Sequence, residues 1–269
     1  MVSVVAIGDN LVDRYLNLRK YFPGGNSLNV SVFARRYGAS AAFIGCMGND
    51  VEGQHICRAL DKEGVDRSHC QIVNAPTRYA VVNLIDGERT FLPGGNKETN
   101  RMLRIGPDDL EFMKQFDIIY TNINSYLEGW LPELKKLGPK IAFDYSDFSD
   151  LSYVEKSIPY VEYSIFSENE KSENEIKALQ KKIAAKGAKL VLVTRGAKGA
   201  ILYHNQQYYS IKAVETTVVD TLGCGDSFFA SFLVNFFNGQ DAEKSLTKAV
   251  TDAAETCSYY GAFSYGVDY

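Results

Sequence analysis

Residues 220–237 read Asp220-Thr221-Leu222-Gly223-Cys224-Gly225-Asp226 and then Ser227-Phe228-Phe229-Ala230-Ser231-Phe232-Leu233-Val234-Asn235-Phe236-Phe237. A glycine-rich turn runs without a break into an apolar helix. Any helix leaves the N–H groups of its first turn unpaired, and its dipole makes that end positive. Two glycines and the small Cys224 leave those amides unobstructed, which makes a ready anion site. Asp226 in the first turn is out of place if anion binding is the whole task, because it repels phosphate. It fits if the carboxylate takes a proton from a hydroxyl while the neighbouring amides stabilise a phosphoryl group in transfer. The same residues equally suit an ordinary turn followed by a helix with an acidic first turn.

Upstream of this turn, short β-branched runs alternate with helical patterns, as in a layered α/β domain with a mainly parallel sheet. Strands are expected at 2–7, 41–46, 117–121, 140–143, 163–166 and 190–194, with a further short strand at 200–203. The run at 2–7 is apolar throughout, as suits a strand buried on both faces. Helices are expected at 26–37, 50–63, 131–137, 170–186, 226–237 and 242–260. Two segments break the rhythm. Residues 11–22 alternate apolar and polar without a helical period. Residues 78–92 have the form of a hairpin, with 79–85 and 89–92 flanking an Asp86-Gly87 turn. Both read as strands outside the main sheet, enough for a small flap. With no low-complexity linker and no internal repeat, residues 1–269 read as one domain.

Composition excludes several classes. The chain has 269 residues, 45% hydrophobic and 23% charged, so it is neither disordered nor collagenous. Twenty-nine basic residues against thirty-three acidic ones give a net charge of −4, which argues against a nucleic-acid partner. No run of about 18 apolar residues exists, so no membrane span is expected. The start, MVSVVAIGDN, reads as a first strand and not as a signal peptide. Five widely spaced cysteines without a CxxC pair argue for reduced thiols in a cytoplasmic protein, not for a disulfide framework or structural zinc. Three scattered histidines disfavour metal hydrolysis.

Two further clusters could carry chemistry. Pro23-Gly24-Gly25-Asn26-Ser27-Leu28-Asn29 again stands at a helix start, and Asn26 and Asn29 share one face from which amides could meet hydroxyls. A cap and a solvated helix residue explain them equally well. Gly8-Asp9-Asn10 and Asp13 follow the first strand, at the carboxyl edge where open α/β sheets bind ligands. There a carboxylate can accept from a polyol or simply face solvent. Thr194-Arg195-Gly196-Ala197-Lys198-Gly199 lies under a nucleotide or forms an ordinary turn. There is no GxxxxGK[ST] loop and no GxSxG elbow, and Phe228 occupies the last place of a dinucleotide fingerprint starting at Gly223.

Taken in order, these motifs resemble the ribokinase-like (PfkB) carbohydrate kinases. DTLGCGD is similar to that family's DTxGxGD signature, GDNLVD and GGNSLN to its sugar-binding segments, and TRGAKG to its TxGxxG. The start, IGDNLVDRYLNLRKYFPGGNSLNVSV, is most like that of the fructoselysine (fructosamine) 6-kinases. The resemblance implies a ribokinase-like three-layer α/β/α sandwich with a mostly parallel central sheet. Residues 11–22 and 78–92 would form a small β-strand lid over the sugar. It implies Asp226 as base, the amides of Gly223, Cys224 and Gly225 as anion hole, and Asp13, Gly24, Gly25 and Asn29 on the sugar hydroxyls. Arg89 and Asn96 would lie at the lid edge, and Thr194, Gly196 and Gly199 along ATP.

The family's NxxE, associated with Mg²⁺, becomes Ser167-Glu168-Asn169-Glu170 here, so Glu170 keeps the acid while Ser167 replaces the Asn. Asp220 resembles the position that holds a monovalent cation such as K⁺ in some members. Cys224 stands where Ala is usual, and Arg195 replaces an apolar residue and could reach a phosphate or solvent. The implied reaction is γ-phosphoryl transfer from ATP to a primary hydroxyl of a ketose derivative. Ribose, fructose, 2-keto-3-deoxygluconate or adenosine are rival acceptors, and a sugar-binding protein without turnover and a dinucleotide-dependent oxidoreductase are rivals of other classes. Asp9, Tyr15, Tyr21, Glu98, Tyr126, Asp144 and Asp147 could face an aminoacyl moiety, and spacing does not rank them. Exposed lid edges tend to be covered, which points to a homodimer through the lid strands.

Overall fold

The computed structural model describes residues 1–269 except Asp86, Lys97, Phe148 and Ser149, and leaves the side chains of Glu88, Glu98 and Leu151 undescribed. β1 (Ser3–Gly8) is followed by β2 (Leu11–Tyr15), β3 (Lys20–Gly24) and α1 (Asn26–Arg36). β4 (Ser40–Gly48), α2 (Val51–Glu63) and β5 (Gln71–Val73) precede the hairpin of β6 (Tyr79–Ile85) and β7 (Glu88–Leu92). Asp86, in the turn expected there, lies outside the described residues. Two short helices, α3 (Glu98–Met102) and α4 (Pro107–Met113), lead to β8 (Ile118–Asn122), α5 (Leu131–Lys136) and β9 (Lys140–Asp144). Then come α6 (Leu151–Ser157), β10 (Tyr163–Ser167), α7 (Glu173–Ala184) and β11 (Leu190–Thr194). β12 (Ala200–His204), β13 (Gln207–Ile211), α8 (Cys224–Phe237), α9 (Ala242–Thr256) and β14 (Val267–Asp268) complete the order.

Among the described residues nine strands form the central sheet in the order β13-β12-β11-β10-β9-β8-β1-β4-β5, every neighbouring pair parallel except β11–β12 and β12–β13. Period two along β1 divides its side chains between the faces. Val4 and Ala6 join the core with Leu28, Val32, Phe229 and Phe232 of α1 and α8. Val5 and Ile7 join the core with Leu131, Leu134, Ile176 and Ile183 of α5 and α7. Three layers follow from that alternation. The two segments expected outside the main sheet do form a second one, with five strands in the order β14-β3-β2-β6-β7.

Two helix boundaries differ from expectation. α7 begins at Glu173 and not at 170, because Ser172 and Glu175 form a reciprocal capping box, with Ser172 N donating to Glu175 Oε2 at 2.9 Å. Glu170 therefore stays in the loop after β10. α9 stops at Thr256, short of 260, where the Cys257 carbonyl turns to accept from Val219 N (2.8 Å) and Asp220 N (3.2 Å). Its C-terminal end thereby anchors the chain that enters the 220–226 turn. Among the described residues no helix is long and apolar enough to cross a membrane.

Candidate active site

The site lies at the carboxyl edge of the central sheet, where β1 and β9 end and α1 and α8 begin. Gly25, the N-cap of α1, has φ 109° and no side chain with which to cap. A Cβ there would sit 2.8 Å from Asn10 Cα and 2.9 Å from Asp9 O, so only glycine lets the loop after β1 come this close. That loop supplies the cap instead. Asp9 Oδ2 accepts from Asn26 N (3.0 Å), and Asp9 Oδ1 accepts from Ser27 N (2.9 Å) and Asn122 Nδ2 (2.7 Å). Sequence reading placed Asp9 near a ligand but did not find this capping role, because Asp9 and α1 are joined only in space.

The first turn of α1 then aims two amides at α8. Asn29 Nδ2 donates to Asp226 Oδ2 (2.7 Å), and Asn26 Nδ2 donates to Asp226 Oδ1 (3.2 Å). Asp226 is buried and makes no ion pair among the described residues. Burial pushes its carboxyl well above the usual carboxylate range. The Asn29 bond opposes that shift, nearby Asp144 and Asp9 add to it, and Arg89 opposes it. Asp144, at the end of β9, belongs to the same cluster: burial raises it to about 6, against the bond that it accepts from Ser146 N at 2.7 Å. The rule that ligands gather at carboxyl ends of parallel strands was the signal that could have ranked Asp144 first among the acids. Asp13, on β2, is also buried and raised to about 7 by desolvation, with Arg89 and Arg78 pulling the other way.

Gly223 caps α8 in the left-handed region, φ 76°, where a Cβ would approach Ala262 Cβ to 2.5 Å. The amides of Gly225 and Asp226 occupy the second and third helical positions and have no acceptor within the helix. Ser227 N begins the ladder by donating to Gly223 O (2.8 Å). Cys224 N instead turns back to Thr221 O at 3.3 Å, so the open part of the expected anion hole is Gly225 and Asp226. Asp220, fully buried, braces the turn: its Oδ1 accepts from Leu222 N (2.9 Å) and its Oδ2 from Tyr15 OH (2.6 Å) and Gly261 N (2.9 Å). Arg89 Nη1 donates to Thr221 Oγ1 at 2.7 Å. Tyr15 and Arg89 thus fasten the second sheet to the turn.

One expectation is corrected. Cys224 is bonded to Cys257 as a disulfide, with Cα atoms 6.0 Å apart across 33 residues. The pair was invisible in the spacing because it arises where α8 begins against the end of α9. Cys46, Cys57 and Cys70 are free thiols.

The remaining expected residues are distributed as follows. Gly24 ends β3 beside Asp13, and Asn96 Nδ2 donates to Thr77 O at 3.3 Å. Thr194, Gly196 and Gly199 line the turn after β11, where Thr194 Oγ1 lies 3.0 Å from Ser167 Oγ. Glu170 is exposed in the adjoining loop. Arg195 turns to Glu173 at 3.4 Å. No hydrogen bond among the described residues joins this second group to Asp226. Of the candidates for an aminoacyl contact, Tyr15 is consumed by Asp220, and Tyr21 is buried edge-on to His55. Asp147 is exposed, and the Glu98 side chain is undescribed.

A buried carboxylate beside open helix amides can accept a proton from a hydroxyl while an anion sits on the amides. Comparison with known proteins agrees. The model of the pfkB family carbohydrate kinases matches residues 4–265. The chain is 38% identical to fructosamine kinase FrlD of Bacillus subtilis over 271 residues, covering 100% of this chain and 95% of that one. It is 33% identical to fructoselysine 6-kinase of Escherichia coli K12, covering 98% and 100%. Its fold matches the Arabidopsis thaliana ribokinase complexed with ribose and ATP with a TM-score of 0.83 at 24% identity, covering 97% and 95%. With the family model matching residues 4–265, relatives matched over nearly their whole length and the ribokinase-like sandwich in place, the chain belongs to the pfkB family of carbohydrate kinases and is a sugar kinase.

Proposed function

We propose that this kinase transfers the γ-phosphoryl group of ATP to the primary hydroxyl of a fructosamine, with fructoselysine the leading acceptor. The observation that carries the reading is the Asp226 carboxylate, held by Asn26 and Asn29 one peptide from the open amides of α8. The names of the two relatives support the choice of acceptor.

The groups present suit ATP and Mg²⁺. Gly225 and Asp226 offer two unpaired amides to a phosphoryl oxygen. Glu170 is an exposed carboxylate, and Mg²⁺ needs few protein ligands when phosphates supply the rest. When bound, ATP supplies the phosphoryl group and Mg²⁺ offsets its charge. Asp226 receives the hydroxyl proton as the oxygen attacks, and its raised pKa makes it a stronger base than an exposed aspartate. Asn26 and Asn29 fix both carboxylate oxygens, so the direction of proton acceptance is set before substrate arrives. Asp13, Gly24, Gly25 and Asn29 would hold the sugar hydroxyls, with Arg89 and Asn96 at the edge of the second sheet. That sheet would act as a lid that excludes water. Thr194, Gly196 and Gly199 would lie along the nucleotide.

Asp220 has one lone-pair direction left after its three protein donors, enough for a K⁺ contact that activation by K⁺ over Na⁺ would reveal. Ile85 and Phe91, exposed on the second sheet, and Leu16 just past the end of β2 support a homodimer through it, which light scattering reads directly. Cytoplasmic location is part of the same reading. The deciding experiment couples ADP release to a panel of acceptors. Asp226→Asn should lower kcat about 10²- to 10⁴-fold with ATP binding retained. A variant keeping more than about a tenth of wild-type kcat contradicts the base assignment, since even the low end of the general-base range is larger. Fructoselysine no better than fructose contradicts the acceptor.

A further inference from the structure

Tyr126 is a feature that phosphoryl transfer leaves unused. It follows the short turn Ile123–Ser125 and adopts φ 57°, ψ 36°, a left-handed backbone that aromatic residues rarely take. The residue is nonetheless 41% exposed. Strain held at an exposed aromatic points to function. The ring meets the guanidinium of Arg101, whose Cζ lies 5.2 Å from the ring centroid.

The chain neighbours of both partners bond to the loop after β1, which borders the proposed acceptor site. Ser125 Oγ accepts from Asp9 N at 3.2 Å and lies 3.3 Å from Ser27 Oγ. Asn100, next to Arg101 on α3, donates through Nδ2 to Asn10 O at 3.1 Å and accepts from Arg78 when its amide is oriented to satisfy both. Contacts therefore run from Asp226 through Asn26 and Asp9 to Ser125 and Tyr126. A sugar with its reacting hydroxyl at Asp226 and its body over Asp9 presents its other end to this rim. Arg14, Arg36, Arg67 and Arg195 are each paired with a carboxylate. Among the described residues Arg101 has no such partner. A guanidinium over a ring is steadied by the ring face while its N–H groups stay available to grip a carboxylate through two parallel bonds.

We propose that Arg101, steadied over the ring of Tyr126, binds the carboxylate of the amino acid carried on the substrate's nitrogen and so sets the preference for aminoacyl fructosamines. The inference rests on the fructosamine reading above. The test compares three acceptors: fructose, a 1-deoxy-1-alkylamino-fructose without a carboxylate, and fructoselysine. Arg101→Met should raise KM for fructoselysine roughly tenfold, as expected for a lost bond to a charged group, with kcat and the alkylamino KM within about twofold. Tyr126→Gly should show the same selective KM effect with a melting temperature no lower than wild type, because glycine accepts the left-handed backbone. That combination separates a positioning role from a structural one. Equal changes for both fructosamines, or none, overturn the assignment while the acceptor reading stands. Wild-type enzyme that prefers neither fructosamine over fructose overturns the acceptor reading, and the assignment with it.

Discussion

Replacing Asp144 with Asn separates the charge of a buried carboxyl from its shape. Burial raises Asp144 from 3.8 to about 6, so the folded chain holds this proton more tightly than the unfolded chain does. The stability that the group contributes is whole below pH 3.8 and is lost as pH rises through 6. A shift of roughly two units amounts to about 3 kcal/mol once both states are ionised. At pH 4 most of that is still present. Asn has no proton to lose. Its altered bond to Ser146 N shifts the absolute stability, and loss of the charge also relieves its push on Asp226, which favours the variant at high pH in the same direction. Urea unfolding of the unliganded wild type and Asp144→Asn at pH 4, 6 and 8 isolates the charge. The stability difference should move in favour of the variant by about 2 kcal/mol between pH 4 and pH 8. At about 2–4 °C per kcal/mol for a chain near this size, the melting temperatures should diverge by several degrees. A difference constant within about 0.5 kcal/mol across that range would refute the claim that desolvation governs this cluster.

The proposed base, Asp226, should show the same physics in turnover. Because Asp226 must be ionised to accept a proton and its pKa is raised, kcat/KM should fall on the acid side above the ordinary carboxylate range. Asn29→Ala removes the donor that favours the ionised form and should move that limb to still higher pH; an unmoved limb in the pH profile excludes Asn29 as the tuning group. The Cys224–Cys257 bond closes a 33-residue span, which corresponds to about 3–4 kcal/mol of unfolded-state entropy. Cys257→Ser should therefore lower the melting temperature and abolish its sensitivity to dithiothreitol, and calorimetry with and without reductant checks both.

The layered fold was legible because β1, β4 and β8–β11 are apolar runs separated by helical patterns. Strand β13 was not, since its connection to β12 runs through Asn205 and Gln206, both left-handed (φ 48° and 62°), without the glycine that usually marks such a hairpin. Two-residue β14 carries no periodicity at all. In the site, Asp226, Asn29 and the glycines were readable because they sit in contiguous motifs next to helix starts. Asp9 as a remote cap, Asp144 as a neighbouring charge and the Cys224–Cys257 pair depend on contacts between distant segments, which local spacing does not encode.

The hydrogen bonds of Asp220 have a mechanical consequence. One carboxylate grips the hydroxyl of Tyr15 on β2, the amide of Leu222 inside the signature turn and the amide of Gly261 beyond α9. A displacement of β2 must either rupture the Tyr15 bond or drag the turn along. The strand that begins three residues after β1 is therefore geared to the 220–226 turn through a single side chain, and no separate relay is needed for a movement of the second sheet to be felt there.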